Sequence, residues 1–177
     1  DSGDITGRRA IIAGIAPTRL AAADFDGSGT VDLLVAAEGD AVRQDATLRL
    51  LLNDGRPAGV PGEVAVSAFV ESFGSPLVTL RGRQTELELG DINGDGSVDA
   101  MLAVEEVLAD GRLSTSVQPF LNAGFGGFTA IAPVSPTRLG NRDTRLSIAL
   151  GDVNGDGLPD LSLGWHQPDG GGRNLRV

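Results

Sequence analysis

Residues 91–99 read DINGDGSVD, with oxygen-bearing side chains at the first, third, fifth and ninth positions and glycine at the fourth and sixth. Acidic and amide groups that close together repel and solvate one another unless something positive sits among them. The same spacing recurs as DFDGSGTVD at 24–32 and DVNGDGLPD at 152–160, so the stretch is one copy of a repeat.

The copies start 67 and 61 residues apart, too far for a helix-pair repeat and above the roughly 40 to 50 residues of common propeller blades. Each is followed by an apolar, strand-like run: VDLLVAA, VDAMLAV and LPDLSLG. Each is preceded by another, TRLAAA, TELELG or TRLSIAL, in which Leu87 and Leu89, or Leu146, Ile148 and Leu150, alternate with their neighbours as on a strand with one apolar face. A third segment follows, TLRLLLNDG at 47–55, echoed by SVQPFLNAG at 116–124 and begun again as NLRV at 174–177. A fourth, VAVSAFV at 64–70, matches GFTAIAPV at 127–134.

No long pattern of period 3.6 interrupts these segments, so the chain reads as all-β, a β-propeller built of four-stranded antiparallel blades. Residues 1–177 make a single propeller segment of about three blades: repeat 1 spans about 17–72, repeat 2 about 84–135 and an incomplete repeat 3 about 143–177. The opening RRAIIAGIAPTRL resembles FTAIAPVSPTRL at the end of repeat 2, which makes 8–15 a stray fourth strand. Closed propellers have roughly four to eight blades. The expectation is therefore part of a larger propeller, either a fragment or one half of a dimer with another chain completing the ring. The ending in mid-strand favours the fragment.

Composition narrows the function classes. A chain of 177 residues supports one domain with a real core. The formal charge of −10 and pI near 4.4 repel nucleic acid and anionic membrane surfaces. No apolar run is long enough for a membrane span, and DSGDITGRR opens the chain with neither an initiating Met nor a signal-like core. The chain thus reads as processed or cut from something longer. Zero Cys excludes disulfides, thiolate metal sites and a cysteine nucleophile.

The loop itself carries the chemistry. Side-chain oxygens fall at positions one, three, five and nine, and position seven offers a backbone carbonyl. Such an all-oxygen set suits a hard cation with flexible, high coordination, Ca²⁺ before Mg²⁺. The candidate ligands are Asp24, Asp26, Ser28, Thr30 and Asp32 in the first copy, with Ser28 replacing a carboxylate and reaching the ion through water. In the second they are Asp91, Asn93, Asp95, Ser97 and Asp99, and in the third Asp152, Asn154, Asp156, Leu158 and Asp160. Gly29, Gly96 and Gly157 at position six allow the sharp turn that folds the ligands inward. About three Ca²⁺ ions would bring the formal charge from −10 to −4, so metal removal is expected to destabilise the fold. An EF-hand or a dockerin starts similarly but needs an acidic ligand at position twelve, where this chain has Val35, Leu102 and Leu163. Without that bidentate group the expected affinity is weak, on the order of 10⁻⁴ to 10⁻³ M. The cytosol does not load such a site, which points to a secreted, periplasmic or cell-surface protein.

D-x-[DN]-G-x-G-x-x-D between two strands resembles the FG-GAP or VCBS repeat of integrin-like β-propellers. In that family the loop joins the first two strands of a blade and binds calcium, and the resemblance covers nearly the whole chain. The family's Phe-Gly and Gly-Ala-Pro signposts are poorly kept, with Ala36, Ala103 and Gly164 in unlike contexts, which sets the VCBS-like variety ahead of the integrin type. The resemblance implies a rigid platform for adhesion or other protein–protein contact, or for a glycan.

A catalytic role finds little support. There is one His, His166, and no Lys or Tyr, and the carboxylates that could serve glycoside cleavage are accounted for by calcium. Trp165 beside His166 could stack on a sugar as in a lectin, but a packed Trp next to a solvated His is the commoner arrangement. A polysaccharide lyase or hydrolase with its chemistry in loops between blades is a further alternative. Glu105 and Glu106 read as a solvated hairpin end. Arg81, Arg83, Arg138, Arg142 and Arg145 gather in the links between repeats, where they form surface ion pairs or receive an acidic partner.

Overall fold

Each nine-residue loop joins two strands that pair antiparallel, because its glycines turn the chain through left-handed backbone angles and lay the flanking apolar runs side by side. Gly94 and Gly96, with φ of 76° and 87°, make that turn in the second copy. The computed structural model describes residues 16–38, 45–53, 55, 69–71, 78–111, 113–134, 145–166 and 173–176. They form three antiparallel sheets and no helix.

The first sheet runs in order through β1 (Pro17–Ala23), β2 (Asp32–Ala37), β3 (Asp45–Asn53) and β4 (Phe69–Glu71), with β5 (Val78–Arg81) also on β3. The second comprises β6 (Arg83–Gly90), β7 (Asp99–Val107), β8 (Leu113–Asn122) and β9 (Phe128–Ala130). The third comprises β10 (Arg145–Gly151), β11 (Asp160–His166) and β12 (Arg173–Arg176). Apart from β5, consecutive strands in each sheet are neighbours, the meander of a propeller blade. The first strands lie together, with β6 against β1 on one side and β10 on the other.

Two details differ from the four-strand reading. Strand β5 falls in a stretch read as a link, and it shares the edge of β3 with β4: β4 pairs with Leu51–Asn53 and β5 with Asp45–Leu48. The fourth strand of the second sheet shrinks to three residues, with one isolated bridge from Val117 to Val134 beyond it. Pro119 and Pro133 supply no N–H to the ladder there, and prolines confine pairing in this way. The stray strand expected at 8–15 and residues 64–68 of VAVSAFV lie outside the described residues.

The middle sheet is covered on both faces. Ala100, Leu102 and Val104 of β7 join Phe120 and pack on Leu34, Ala36, Leu48 and Leu50 of the first sheet. The alternate residues Met101 and Ala103, with Val117, pack on Leu146, Ile148 and Leu163 of the third. This explains why the first six residues of β7 are all buried, whereas Ser147 and Ala149 of β10 alternate outward. Leu87 and Leu89 pack on the first cluster and Leu146 and Ile148 on the second, as their alternation predicts.

Register shifts recur at one place. The β1/β2 ladder slips between Pro17 and Arg19, and the β6/β7 ladder between Gln84 and Glu86, leaving Thr18 and Thr85 as the extra residues. Both hydroxyls donate across the sheet, Thr18 to Ala36 O at 3.2 Å and Thr85 to Ala103 O at 3.5 Å.

Candidate metal centre

Position one gathers the backbone of each loop. Asp91 Oδ1 accepts from Gly94 N at 2.8 Å and Asp95 N at 3.0 Å, and its Oδ2 accepts from Gly96 N at 2.8 Å. Asp152 repeats the pattern with Gly155, Asp156 and Gly157, and Asp24 does so with Ser28 and Gly29. These charge-assisted bonds wrap the chain around one carboxylate. The conformation needs positive φ at positions four and six, and in all three copies glycine supplies it.

Position nine closes the loop and fastens it to the blade. Asp99, fully buried at 0% exposure, accepts from Ile92 N at 2.9 Å and from Asn122 N, at the end of β8, at 2.7 Å. Asp32, equally buried, accepts from Phe25 N and Asn53 N, both at 2.8 Å. Asp160 accepts from Val153 N at 2.9 Å and Asn154 N at 3.2 Å, and is only half-buried. A buried carboxylate is tolerated when such donors meet it.

The asparagine that ends the third strand is a working residue that the sequence reading passed over. Asn53 Nδ2 donates to Val31 O at 3.1 Å, and Asn122 Nδ2 donates to Val98 O at 3.2 Å, each clasping its own loop. Asn122 Nδ2 also donates to Phe25 O at 2.8 Å, and Gly126 N reaches the same carbonyl at 3.1 Å, so the first loop is stitched to the second sheet. Phe25 follows into the core between the sheets, 1% exposed, its ring edge-on to Phe128 at 5.6 Å. The signal was present in the echo of LLNDG and FLNAG.

Positions three and five set the electrostatics. In the first loop the ligand oxygens of Asp24, Asp26 and Asp32 lie within 4.8 Å of one another. Ser28 Oγ meets Thr30 Oγ1 at 2.7 Å and accepts from Thr30 N at 3.3 Å, and Thr30 Oγ1 donates to Asn53 O at 2.8 Å. In the second loop Asn93 Oδ1 accepts from Asp95 N at 3.0 Å while its Nδ2 donates to Asp95 Oδ2 at 2.7 Å. Ser97 N donates to Asp95 Oδ1 at 2.8 Å. The Asn93 amide and then the Ser97 N–H hold the Asp95 carboxyl below its ordinary value. Asp156 is lowered likewise, by the Leu158 N–H and then the Asn154 amide. The Leu158 side chain leans on the second loop, where a Cβ on Gly94 would come within 2.9 Å of its Cδ2.

Convergent carboxylate oxygens at the first loop fit a hard divalent cation, because each carboxylate oxygen keeps a lone pair after accepting one N–H. The other two loops repeat the frame, with an amide in place of one carboxylate. Elsewhere, Trp165 is half-buried against the cluster between the second and third sheets, a packed residue as the commoner arrangement requires. Glu105 corrects the reading of a solvated hairpin end: both it and Glu106 lie within β7 and are partly buried, because the strand continues to Val107. Arg83 pairs with Glu38 at 3.8 Å across two exposed side chains. Arg81 and Arg145 fall in β5 and β10, and Arg138 and Arg142 lie outside the described residues.

Residues 91–162 match the family model of the FG-GAP-like repeat. Integrin alpha-PS3 of Drosophila melanogaster is 33% identical over 75 residues, a stretch that takes in 42% of this chain and 7% of that protein. Both matches fall on the FG-GAP and integrin side of the resemblance. The matched segment runs from the second nine-residue loop through the third and takes in less than half of the chain, and its likeness to an FG-GAP-like repeat agrees with the blade-like strand order of the sheets.

Proposed function

We propose that this chain is a calcium-stabilised propeller segment that acts outside the cytoplasm as a rigid platform for adhesion-type contact with another protein. The observation that carries it is the convergence of Asp24, Asp26 and Asp32 oxygens in a loop whose frame recurs between the first two strands of all three sheets. Each loop would hold one ion through its residues at positions one, three, five, seven and nine, and the ion would relieve the repulsion concentrated there. The likeness to an integrin alpha chain supports a protein partner. A glycan partner is less well supported, since Trp165 is committed to the core. The three sheets among the described residues fall short of the roughly four to eight blades of closed propellers, and we read the ring as completed by further blades.

The test is a calcium titration by calorimetry on the 177-residue chain, with melting curves and sedimentation on the same sample. About three ions binding at roughly 10⁻⁴ to 10⁻³ M, with a rise in melting temperature, is the expected result. No binding and no thermal shift would reduce the loops to glycine-rich turns and remove the argument for an exported scaffold.

A further inference from the structure

Of the six asparagines in the chain, only Asn93 and Asn154 are followed by glycine, and both stand at position three of a nine-residue loop. An asparagine side chain is open to attack by the backbone nitrogen of the next residue, which makes asparagine one of the thermolabile residues. Glycine in that next place has no Cβ to hinder the approach. Asn93, Gly94, Asn154 and Gly155 are all exposed.

The hydrogen bonds of the two loops are placed as that reaction requires. Gly94 N, the attacking atom, donates to Asp91 Oδ1 at 2.8 Å, and Gly155 N donates to Asp152 Oδ1 at 2.6 Å, so an acceptor for the departing proton is already in contact. Asn93 Oδ1 accepts from Asp95 N at 3.0 Å and Asn154 Oδ1 from Asp156 N at 2.8 Å, where negative charge develops as the carbonyl carbon is attacked. The nitrogens to be expelled rest on carboxylates, Asn93 Nδ2 on Asp95 Oδ2 at 2.7 Å and Asn154 Nδ2 on Asp156 Oδ2 at 3.0 Å.

Other positions of the repeat serve as controls. In the first loop Asp26 stands at position three before Gly27 and its Oδ1 accepts from Ser28 N at 3.0 Å, but it carries no amide to expel. Asn122 is 1% exposed, precedes Ala123, and has its Nδ2 on Phe25 O and Val98 O. Asn53 precedes Asp54 and has its Nδ2 on Val31 O.

We propose that Asn93 and Asn154 are sites of spontaneous deamidation, by which the second and third loops acquire the carboxylate that the first loop already has at position three. The Gly94 nitrogen bonds to Asn93 Cγ, and its proton passes by way of Asp91 Oδ1 to the amide nitrogen. The Cγ–Nδ2 bond breaks, ammonia leaves and a five-membered succinimide remains. Water then opens the ring at one carbonyl or the other, giving aspartate or isoaspartate. Asn154 reacts in the same way with Gly155 and Asp152. The two conversions take the formal charge from −10 to −12. Aspartate removes the Nδ2 donor from Asp95 or Asp156, and isoaspartate places an extra backbone carbon inside the turn that Asp91 or Asp152 gathers. The reaction needs no metal and does not rest on the calcium reading.

The test is to incubate the full chain in chelator at neutral pH and body temperature, beside the same chain unfolded in guanidinium chloride, and to weigh the tryptic peptides over time. Cleavage after arginine puts Asn53, Asn93, Asn122 and Asn154 in separate peptides, 50–81, 84–112, 113–138 and 146–173. A gain of about 1 Da in 84–112 and 146–173 and none in 50–81 and 113–138 is expected, with isoaspartate detected by isoaspartyl methyltransferase. Asn93→Gln should abolish the gain in 84–112 alone, and Asn93→Asp, which installs the product directly, should lower the melting temperature in chelator. If neither variant folds, the peptide masses of the unaltered chain still decide. No gain in the folded chain while the unfolded chain gains in both peptides, or an equal gain in 113–138, would overturn the proposal. Repeating the incubation with calcium separates the two readings. Slower deamidation supports ion binding at these loops, and an unchanged rate counts against the ion and leaves the deamidation sites standing.

Discussion

The loops at 24–32 and 91–99 share a frame and differ in charge layout. In both, the position-one aspartate collects N–H groups of the turn and the position-nine aspartate is buried between the loop and the end of the third strand. In the first, three carboxylates converge within 4.8 Å. In the second, the Asn93 amide stands beside Asp95 and donates to it. The frame is therefore a matter of backbone hydrogen bonds, whereas the need for a cation is set by positions three and five. The first loop should suffer most without an ion and gain most from one.

The largest effect should come from breaking what the two loops share. Asp99→Ala and Asp32→Ala each remove two charge-assisted bonds and leave buried N–H groups unmet, at a cost of about 3–5 kcal/mol in urea unfolding with chelator present. Asp160→Ala should cost clearly less, since Asp160 is only half-buried. Equal costs at all three would mean that burial of the position-nine carboxylate does not set its contribution, and no cost at any of them would mean that position nine acts only through the metal.

A smaller effect isolates what differs. Asp26→Asn gives the first loop the second loop's amide, so it should raise the melting temperature in chelator by about 2 °C and shrink the rise that calcium produces. Ser28→Asp should do the reverse, supplying a carboxylate at position five. A fall in chelator for Asp26→Asn would show that repulsion is not what distinguishes the loops.

Acid should give the smallest effect. The carboxyls of Asp95 and Asp156 are held below their ordinary value of 3.8 in the folded chain, so they favour folding above that value. Their contribution is lost as pH falls below it through their folded values. Both groups are exposed, and screening keeps the effect small. In chelator, Asn93→Ala with Asn154→Ala should flatten the dependence of the urea midpoint on pH below about 4. An unchanged slope would remove the amides as its cause.

Much of this was legible in one dimension. Spacing of oxygens and glycines fixes a turn locally, since every hydrogen bond of Asp91 is made within five residues of it. Alternation at Leu87, Leu89, Leu146 and Ile148 likewise reports which face of a strand is dry. By contrast, Glu105 was misread because its surroundings come from β6, β8 and β10, none adjacent in sequence. Asn122 was passed over for the same reason: its partner Phe25 O lies 97 residues away.

From the amino-acid order alone came the repeat, the all-β class, the strand–loop–strand unit and the oxygens that suit calcium, because each depends on interactions within about nine residues or on the period of a single strand. Only the tertiary structure decided that β7 is dry on both faces, that the first loop is stitched to the neighbouring sheet through Phe25, and that Glu105 is partly buried within β7. Those depend on which sheets stack, and stacking is set by the summed burial of many side chains, which no short stretch encodes.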